Sequence, residues 1–251
     1  MSVRKQTMSP FAKRQKWASL VSDVVAEWLD LPPEPRAISA VRGKLRVPFN
    51  GPLCAFESAL ERDFLTLCRT ELRVQAVHSK QLVIHFTDTA TGSRRRYTPD
   101  FVVEVVTGEG SAPERFVVEV KASQDLWRTR RERRQAYAAA AVWSLSQPST
   151  TFVIASDKLL GSAWVTNARL LSSHMEMPRD LVIEELILSI VRSSAEIKLS
   201  ELVDEVARWG YHRHFILPVI YFLLARGGLW FDRAIPITPS TWVSFGSPWR
   251  V

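Results

Sequence analysis

Cysteine and long hydrophobic runs are scarce in this sequence of 251 residues, and each scarcity excludes a class of protein. The two cysteines, Cys54 and Cys68, match no common metal-site spacing, so we expect reduced thiols in a cytosolic compartment. No apolar run approaches the length of a membrane span, so we expect no membrane contact. Residues 1–16 are basic and polar with no apolar stretch after them, which predicts no secretory signal.

Acidic residues are fewer than basic ones, and the formal net charge is +7. Hydrophobic residues make up 46% of the chain and charged residues 24%, which is ordinary for a globular protein that can bury a real core. An excess of positive charge favours a polyanionic partner such as nucleic acid.

Hydrophobic patterns divide the chain into three predicted parts. Residues 1–16 are predicted to form a flexible arm, and apolar spacing over 15–29 predicts a helix that ends at the prolines of 32–35. This arm and helix make up the first part, residues 1–43.

The second part, residues 44–172, alternates strand and helix patterns. A strand, a helix and a further strand near its end imply a parallel crossover, so we predict an α/β domain with a mixed sheet flanked by helices. The predicted elements are an extended segment at 44–49, helices over 55–68, 124–145 and 157–171, and strands over 74–77, 81–86, 97–106, 115–121 and 151–155.

A composition break at 172–178 precedes the third part, residues 178–251. Helices are predicted over 180–191 and 200–209, and a third helix ends at the glycines of 227–228. Short strand candidates follow at 229–232, 234–237 and 241–245. Three helices and a small hairpin follow the winged-helix order, so we predict an α+β winged-helix C-terminal domain.

Two of the predicted strands carry acidic and basic residues at their ends. Side chains alternate along a strand, so Glu119 and Lys121 project to one side while Val118 and Val120 project to the other. If the strands pair, Asp100 meets Glu119 across the ladder. Two adjacent carboxylates are costly unless a cation lies between them, so this layout is typical of a metal-dependent phosphodiesterase.

Three motifs stand out, namely the helix sequence Phe-Glu-Ser-Ala-Leu-Glu at 56–61, Arg-Tyr-Thr-Pro-Asp-Phe at 96–101 and Val-Glu-Val-Lys at 118–121. Together they resemble the TnsA family, the endonuclease subunits of heteromeric Tns-type transposases. The similarity covers roughly residues 44–171. One departure is Lys80-Gln81, because family members commonly carry Gln-Pro shortly after the glutamate helix.

The resemblance implies a restriction-endonuclease-like fold that uses magnesium to cut double-stranded DNA at the 5′ ends of a transposon. It also implies a DDE-type partner transposase that acts on the 3′ ends, an AAA+ regulator, and a bacterial cytoplasmic protein that associates with the nucleoid through DNA. The implied catalytic residues are Glu61, Asp100, Glu119 and Lys121. Glu57 lies one turn from Glu61 and is an alternative third acid, although the motif match favours Glu61.

The implied metal ligands are all oxygens, namely the Glu61, Asp100 and Glu119 carboxylates and the Val120 carbonyl. Such ligands suit Mg²⁺, with Mn²⁺ as a substitute, and argue against zinc. Lys121 is expected to orient a water molecule or to stabilise charge on the phosphoryl oxygens.

Arginines cluster before the aspartate strand and in the helix after Lys121. They form either an electrostatic DNA path or simply a solvated face. The residues are Arg94, Arg95, Arg96, Arg128, Arg130, Arg131, Arg133 and Arg134.

Two other functions remain open at the level of sequence. One is a stand-alone restriction or repair nuclease with the same fold, which would cut a specific duplex without another subunit. The other is a DNA-binding assembly module in which the nuclease centre is vestigial.

Overall fold

The computed structural model describes residues 17–31, 41–129 and 132–246 of the protein. The predicted arm at 1–16 and the proline cluster at 32–35 lie outside these residues. The strands are β1 (Val21–Trp28), β2 (Gly43–Arg46), β3 (Leu53–Phe56), β4 (Val74–Ser79), β5 (Leu82–Asp88), β6 (Arg94–Tyr97), β7 (Phe101–Val105), β8 (Glu114–Val120), β9 (Thr150–Ala155), β10 (Glu196–Lys198), β11 (Leu229–Trp230) and β12 (Trp242–Phe245).

Helices connect and cover these strands. They are α1 (Ala59–Thr70), α2 (Ser123–Thr129), α3 (Arg134–Ser146), α4 (Asp157–Leu160), α5 (Ala163–Ser172), α6 (Leu181–Ser194), α7 (Leu199–Ala207) and α8 (Arg213–Arg226). In the described part of the chain, none of them has both the length and the apolar character that crossing a membrane requires.

A mixed four-stranded sheet with the order β4-β7-β8-β9 forms the centre of the first domain. Strand β7 is antiparallel to β4 and β8, whereas β9 runs parallel to β8 after the crossover through α2 and α3. The predicted parallel crossover and mixed α/β architecture are therefore confirmed. A second, antiparallel sheet has the order β1-β5-β6, and β2 pairs with β3.

The two central strands are buried on both faces of the sheet. Phe101 and Val118 pack in a core with α1, whereas Val102 and Val117 pack in a second core with α3 and the β1-β5-β6 sheet. Each fully buried side chain of this size contributes about 1.5–3 kcal/mol through removal from water. Burial on both faces explains the nearly continuous apolar sequence of β7 and β8.

The predicted helix over 15–29 is wrong, because residues Val21–Trp28 form strand β1 beside β5. The pairing register shifts between Ser22 and Val25, and Asp23 has a left-handed φ of 48°. This bulge inserts an extra residue into the strand and interrupts the two-residue alternation. The resulting apolar spacing resembles that of a helix.

The predicted strand over 97–106 divides into β6 and β7, which belong to different sheets. Pro99 lies at the division, where it has no N–H to offer to a ladder. The chain leaves one sheet at Tyr97 and enters the other at Phe101. This transition places Asp100 at the open end of β7.

The predicted single helix over 124–145 is two helices, α2 and α3. No side chain of α2 is fully buried, although the partly buried Leu126 packs against the same core as α3. The N-cap of α3, Arg133, makes no side-chain capping bond. Arg130 and Arg131, two of the predicted DNA-binding residues, lie outside the described residues.

The C-terminal part is an α+β unit in which α6, α7 and α8 surround one apolar core. Its antiparallel sheet has the order β10-β12-β11, and β10 lies between α6 and α7 in the sequence. The predicted strand candidate at 234–237 is an irregular segment instead.

Asn167 of α5 connects this unit to the first domain. Its amide donates to the carbonyl oxygens of Ile235 (2.8 Å) and Arg233 (3.2 Å), and its Oδ1 accepts from the Ile237 N–H (2.9 Å). The Asn167 side chain is buried and makes all three of these hydrogen bonds to the partly buried segment 233–237.

We predict that Asn167→Ala lowers the free energy of unfolding by about 2–3 kcal/mol, since three hydrogen bonds of a buried side chain would be lost. Urea unfolding measures the change. Asn167→Asp is the matched control, because it retains the acceptor for Ile237 and loses both donors. An Ala variant as stable as the native protein would contradict this account of the contact.

Candidate active site

An open cavity of about 600 Å³ lies where the start of α1, the β4–β5 turn and the ends of β7 and β8 meet. The structure brings all the predicted catalytic side chains to its wall. They are Glu61, Asp100, Glu119 and Lys121.

Asp100 lies directly opposite Glu119. Phe101 pairs with Val118, and one further step along the ladder brings the two acids together. One Asp100 oxygen accepts a hydrogen bond of 2.8 Å from the Val120 N–H. Because the N–H and C=O of a strand residue point to the same edge, the Val120 carbonyl also points towards Asp100.

The carboxyl of Asp100 is in an unfavourable place for a negative charge. Burial in the cavity wall, followed by the charges of Glu119 and Glu61, raises its pKa from 3.8 to about 8. The hydrogen bond from the Val120 N–H and the ammonium of Lys80 lower the pKa of Asp100, but by less than burial and the two carboxylates raise it.

Glu119 is buried and its carboxylate is held from three directions. Tyr97 donates to Oε2 (2.7 Å), Tyr137 donates to Oε1 (3.3 Å), and the Arg133 guanidinium lies 3.4 Å from Oε1. Burial and then the Glu119 charge raise the pKa of both tyrosines, so both hydroxyls remain donors at neutral pH. These contacts fix the orientation of Glu119.

Glu61 has a structural role in addition to its place in the cavity. It lies in the first turn of α1, where the Ser58 hydroxyl accepts from the Glu61 N–H (3.1 Å) and donates to Oε1 (3.1 Å). Its Oε2 accepts from the Glu57 N–H (2.8 Å). This is a variant of the capping box in which the glutamate accepts from the N–H of the residue before the N-cap, so the Ser-x-Leu-Glu motif also specifies the beginning of the helix.

Lys121 follows the last residue of β8, and its N–H donates to the Ala155 carbonyl (2.9 Å) at the end of β9. This bond fixes the backbone, and the partly buried side chain lines the cavity. As alternation predicts, Val118 and Val120 pack in the core with α1, on the face away from Glu119.

Lys80 and Glu57 also line the cavity, and the sequence did not identify Lys80 as a site residue. The Lys80 Nζ lies 2.7 Å from the Glu57 Oε2. The departure from the family pattern at Lys80-Gln81 was the signal that could have found it. Glu57, the alternative third acid, is therefore ion-paired at the cavity wall.

The oxygen donors fit a divalent ion such as magnesium. Asp100 and Glu119 face each other and the Val120 carbonyl points the same way, so a cation there would relieve the charge that raises the pKa of Asp100. Within residues 17–31, 41–129 and 132–246, no three His, Cys, Asp or Glu side chains are already arranged to hold a metal ion. Protein donors hold Glu61 and Glu119 instead.

The predicted DNA-binding arginines that the structure describes occupy three places. Arg96 and Arg133 line the cavity, and Arg128 and Arg134 are exposed on α2 and α3. Arg94 and Arg95 are exposed on β6, where a guanidinium nitrogen of Arg95 lies 3.4 Å from Asp88.

The raised pKa of Asp100 predicts a pH-dependent stability in EDTA. The contribution of Asp100 to the free energy of unfolding is complete below pH 3.8 and is lost as the pH rises to about 8. We expect Asp100→Asn, which remains neutral, to stabilise the metal-free protein above about pH 8 by a few kcal/mol, with little change near pH 4. Thermal melts across this range test it. The exposed-acid control Glu109→Gln should show no such trend, and a difference for Asp100→Asn that is independent of pH would contradict the assignment.

Part of the chain that forms this cavity also matches a known protein family. Residues 71–156 match the family model described as "TnsA-like endonuclease N terminal". No curated protein matches the chain. The matched range contains β4 to β9 with Asp100, Glu119 and Lys121, whereas Glu61 precedes it. This family implies a restriction-endonuclease-like core and indicates a DNA endonuclease that uses a divalent metal. Residues 71–156 of the chain are therefore similar to the TnsA-like endonuclease N-terminal domain.

Proposed function

We propose that the protein is a metal-dependent DNA endonuclease that cuts the 5′ ends of a transposon as a subunit of a heteromeric transposase. The observation that carries this proposal is the convergence of Glu61, Asp100, Glu119 and Lys121 on one cavity, three of them within the TnsA-like domain.

Asp100, Glu119 and the Val120 carbonyl would hold Mg²⁺ or Mn²⁺, with Glu61 as a further ligand directly or through water. When bound, the metal supplies a Lewis acid for the scissile phosphate and lowers the pKa of a coordinated water. The donors around Glu119 keep its carboxylate in one orientation, as ligation requires.

Lys121 extends from a backbone that β9 fixes, and its side chain lines the cavity. We assign it to the phosphodiester, where it orients the attacking water or stabilises charge on the phosphoryl oxygens. Water adds to phosphorus and the bond to the 3′ oxygen breaks, which leaves a 3′-hydroxyl and a 5′-phosphate. This step requires no covalent intermediate with the protein.

Exposed arginines beside the cavity would contact DNA phosphates. Such contacts supply affinity without reading sequence. The choice of cleavage site would then come from partners, namely a DDE-type transposase that acts on the 3′ ends and an AAA+ regulator.

The C-terminal unit is the part that we assign to partner or DNA contact, as a winged-helix domain. Its three helices, with β10 between α6 and α7 and a sheet in the order β10-β12-β11, support this assignment.

We predict that Asp100→Ala or Lys121→Ala abolishes 5′-strand nicking and leaves both DNA binding and partner-dependent 3′-strand cutting intact. The reason is that each change removes a group at the reacting phosphate and leaves the exposed arginines in place. A strand-specific cleavage assay on transposon-end DNA with Mg²⁺, with and without the partner transposase, measures both products.

Three outcomes of this assay are informative. Continued nicking by Asp100→Ala contradicts the site. Cleavage of a specific duplex by the native protein alone favours the stand-alone nuclease. DNA binding without nicking in the complete mixture favours the vestigial module.

We also predict that replacing Arg96 and Arg128 by glutamine weakens DNA binding and reduces its dependence on salt. Each lost phosphate contact lowers the slope of log affinity against log salt by about 0.9. Fluorescence anisotropy at several salt concentrations measures the slope. The control is Arg115→Gln, since Arg115 is paired with Glu104 at the other end of β8, roughly 20 Å from Lys121. Equal slopes for all the variants would exclude this DNA path.

A further inference from the structure

Lys80 occupies an unusual position at the turn between β4 and β5. Its backbone is left-handed, with φ of 54°, a conformation that costs a residue with a Cβ about 1–2 kcal/mol. Glycine or asparagine would be the ordinary choice for such a turn. A long cationic side chain is found here instead, and it points into the candidate active site with only 17% of its surface exposed.

Backbone and side chain of Lys80 link two parts of the acidic wall. Its N–H donates to the Asp100 carbonyl (3.0 Å), and its ammonium lies 2.7 Å from Glu57. The Glu57 N–H in turn donates to the Glu61 carboxylate. Lys80 thus joins the segment before α1 to the beginning of β7.

The charged groups with which the Lys80 side chain interacts are the carboxylates of Glu57 and Asp100, although Arg96, Lys121 and Arg133 also line the cavity. The carboxylates of Glu57, Glu61, Asp100 and Glu119 all line the cavity. Arg133 lies near Glu119. Lys80 forms the ion pair with Glu57, and its positive charge also favours the charged form of Asp100. It therefore has a location that a metal ion would also favour.

We propose that Lys80 is a positioning residue that acts as the built-in counter-charge of the acidic cavity. In the metal-free protein its ammonium holds Glu57 to one side and partly neutralises the wall beside Asp100. A divalent ion that enters the cavity must act against this ammonium, so Lys80 sets the metal affinity of the site. This inference rests on the proposed function.

The consequence is an increase in metal affinity when the charge is removed. Lys80→Gln removes a repelling cation and frees the Glu57 oxygens, so the dissociation constant for Mn²⁺ should fall, roughly fivefold to tenfold. Glu57→Gln removes a negative charge and releases Lys80, so it should weaken Mn²⁺ binding. In the double variant the two effects should largely offset each other.

The experiment titrates the full-length protein with Mn²⁺, and the free ion is measured by electron paramagnetic resonance. Lys80→Arg retains the charge and should bind Mn²⁺ as the native protein does. Lys80→Gly is a second neutral variant, and its backbone accepts the left-handed turn. If Lys80→Gln misfolds, Lys80→Gly still tests the inference. Thermal melts accompany each titration.

The outcomes separate this inference from the proposed function. If the native protein binds Mn²⁺ and the neutral Lys80 variants bind it no more tightly, the inference is overturned and the nuclease proposal stands. A loss of melting temperature with unchanged affinity means that the ion pair is only structural, which also overturns the inference. If neither the native nor the neutral variants bind Mn²⁺, both proposals fail.

Discussion

Two carboxylates forced side by side at the end of a β-ladder are the constraint on which the site depends. The register of β7 and β8, in which Phe101 pairs with Val118, brings Asp100 and Glu119 together. The protein supplies Glu119 with side-chain donors from Tyr97 and Tyr137, whereas the Asp100 carboxylate accepts from the backbone N–H of Val120. The unequal treatment leaves Asp100 as the strained member of the pair, and therefore as the group that gains most from a cation.

The sequence was informative where one local rule decided the structure. Alternation along β8 placed Glu119 away from the apolar core, and the crossover from β8 to β9 followed from the order of elements. The approach of Asp100 to Glu119 was expected on the condition that the two strands pair, and the pairing of Phe101 with Val118 meets that condition.

Prediction failed where the structure depends on a contact distant in sequence or on an irregular backbone. Strand β1 was mistaken for a helix because its bulge at Asp23 changes the apolar period, and only its pairing with β5 reveals the strand. Lys80 was missed for a similar reason. The role of Lys80 depends on its ion pair with Glu57, which is more than twenty positions away in the sequence. The sequence of the turn gives no indication of that partner.

The capping box of α1 affects how genetic data on this protein should be interpreted. Glu61 both closes the first turn of the helix and faces the cavity, so its truncation to alanine removes a fold determinant and a candidate ligand in one step. Glutamine can also serve in a capping box. An inactive alanine allele therefore does not distinguish a damaged helix from a missing acid, whereas a glutamine allele separates the two roles.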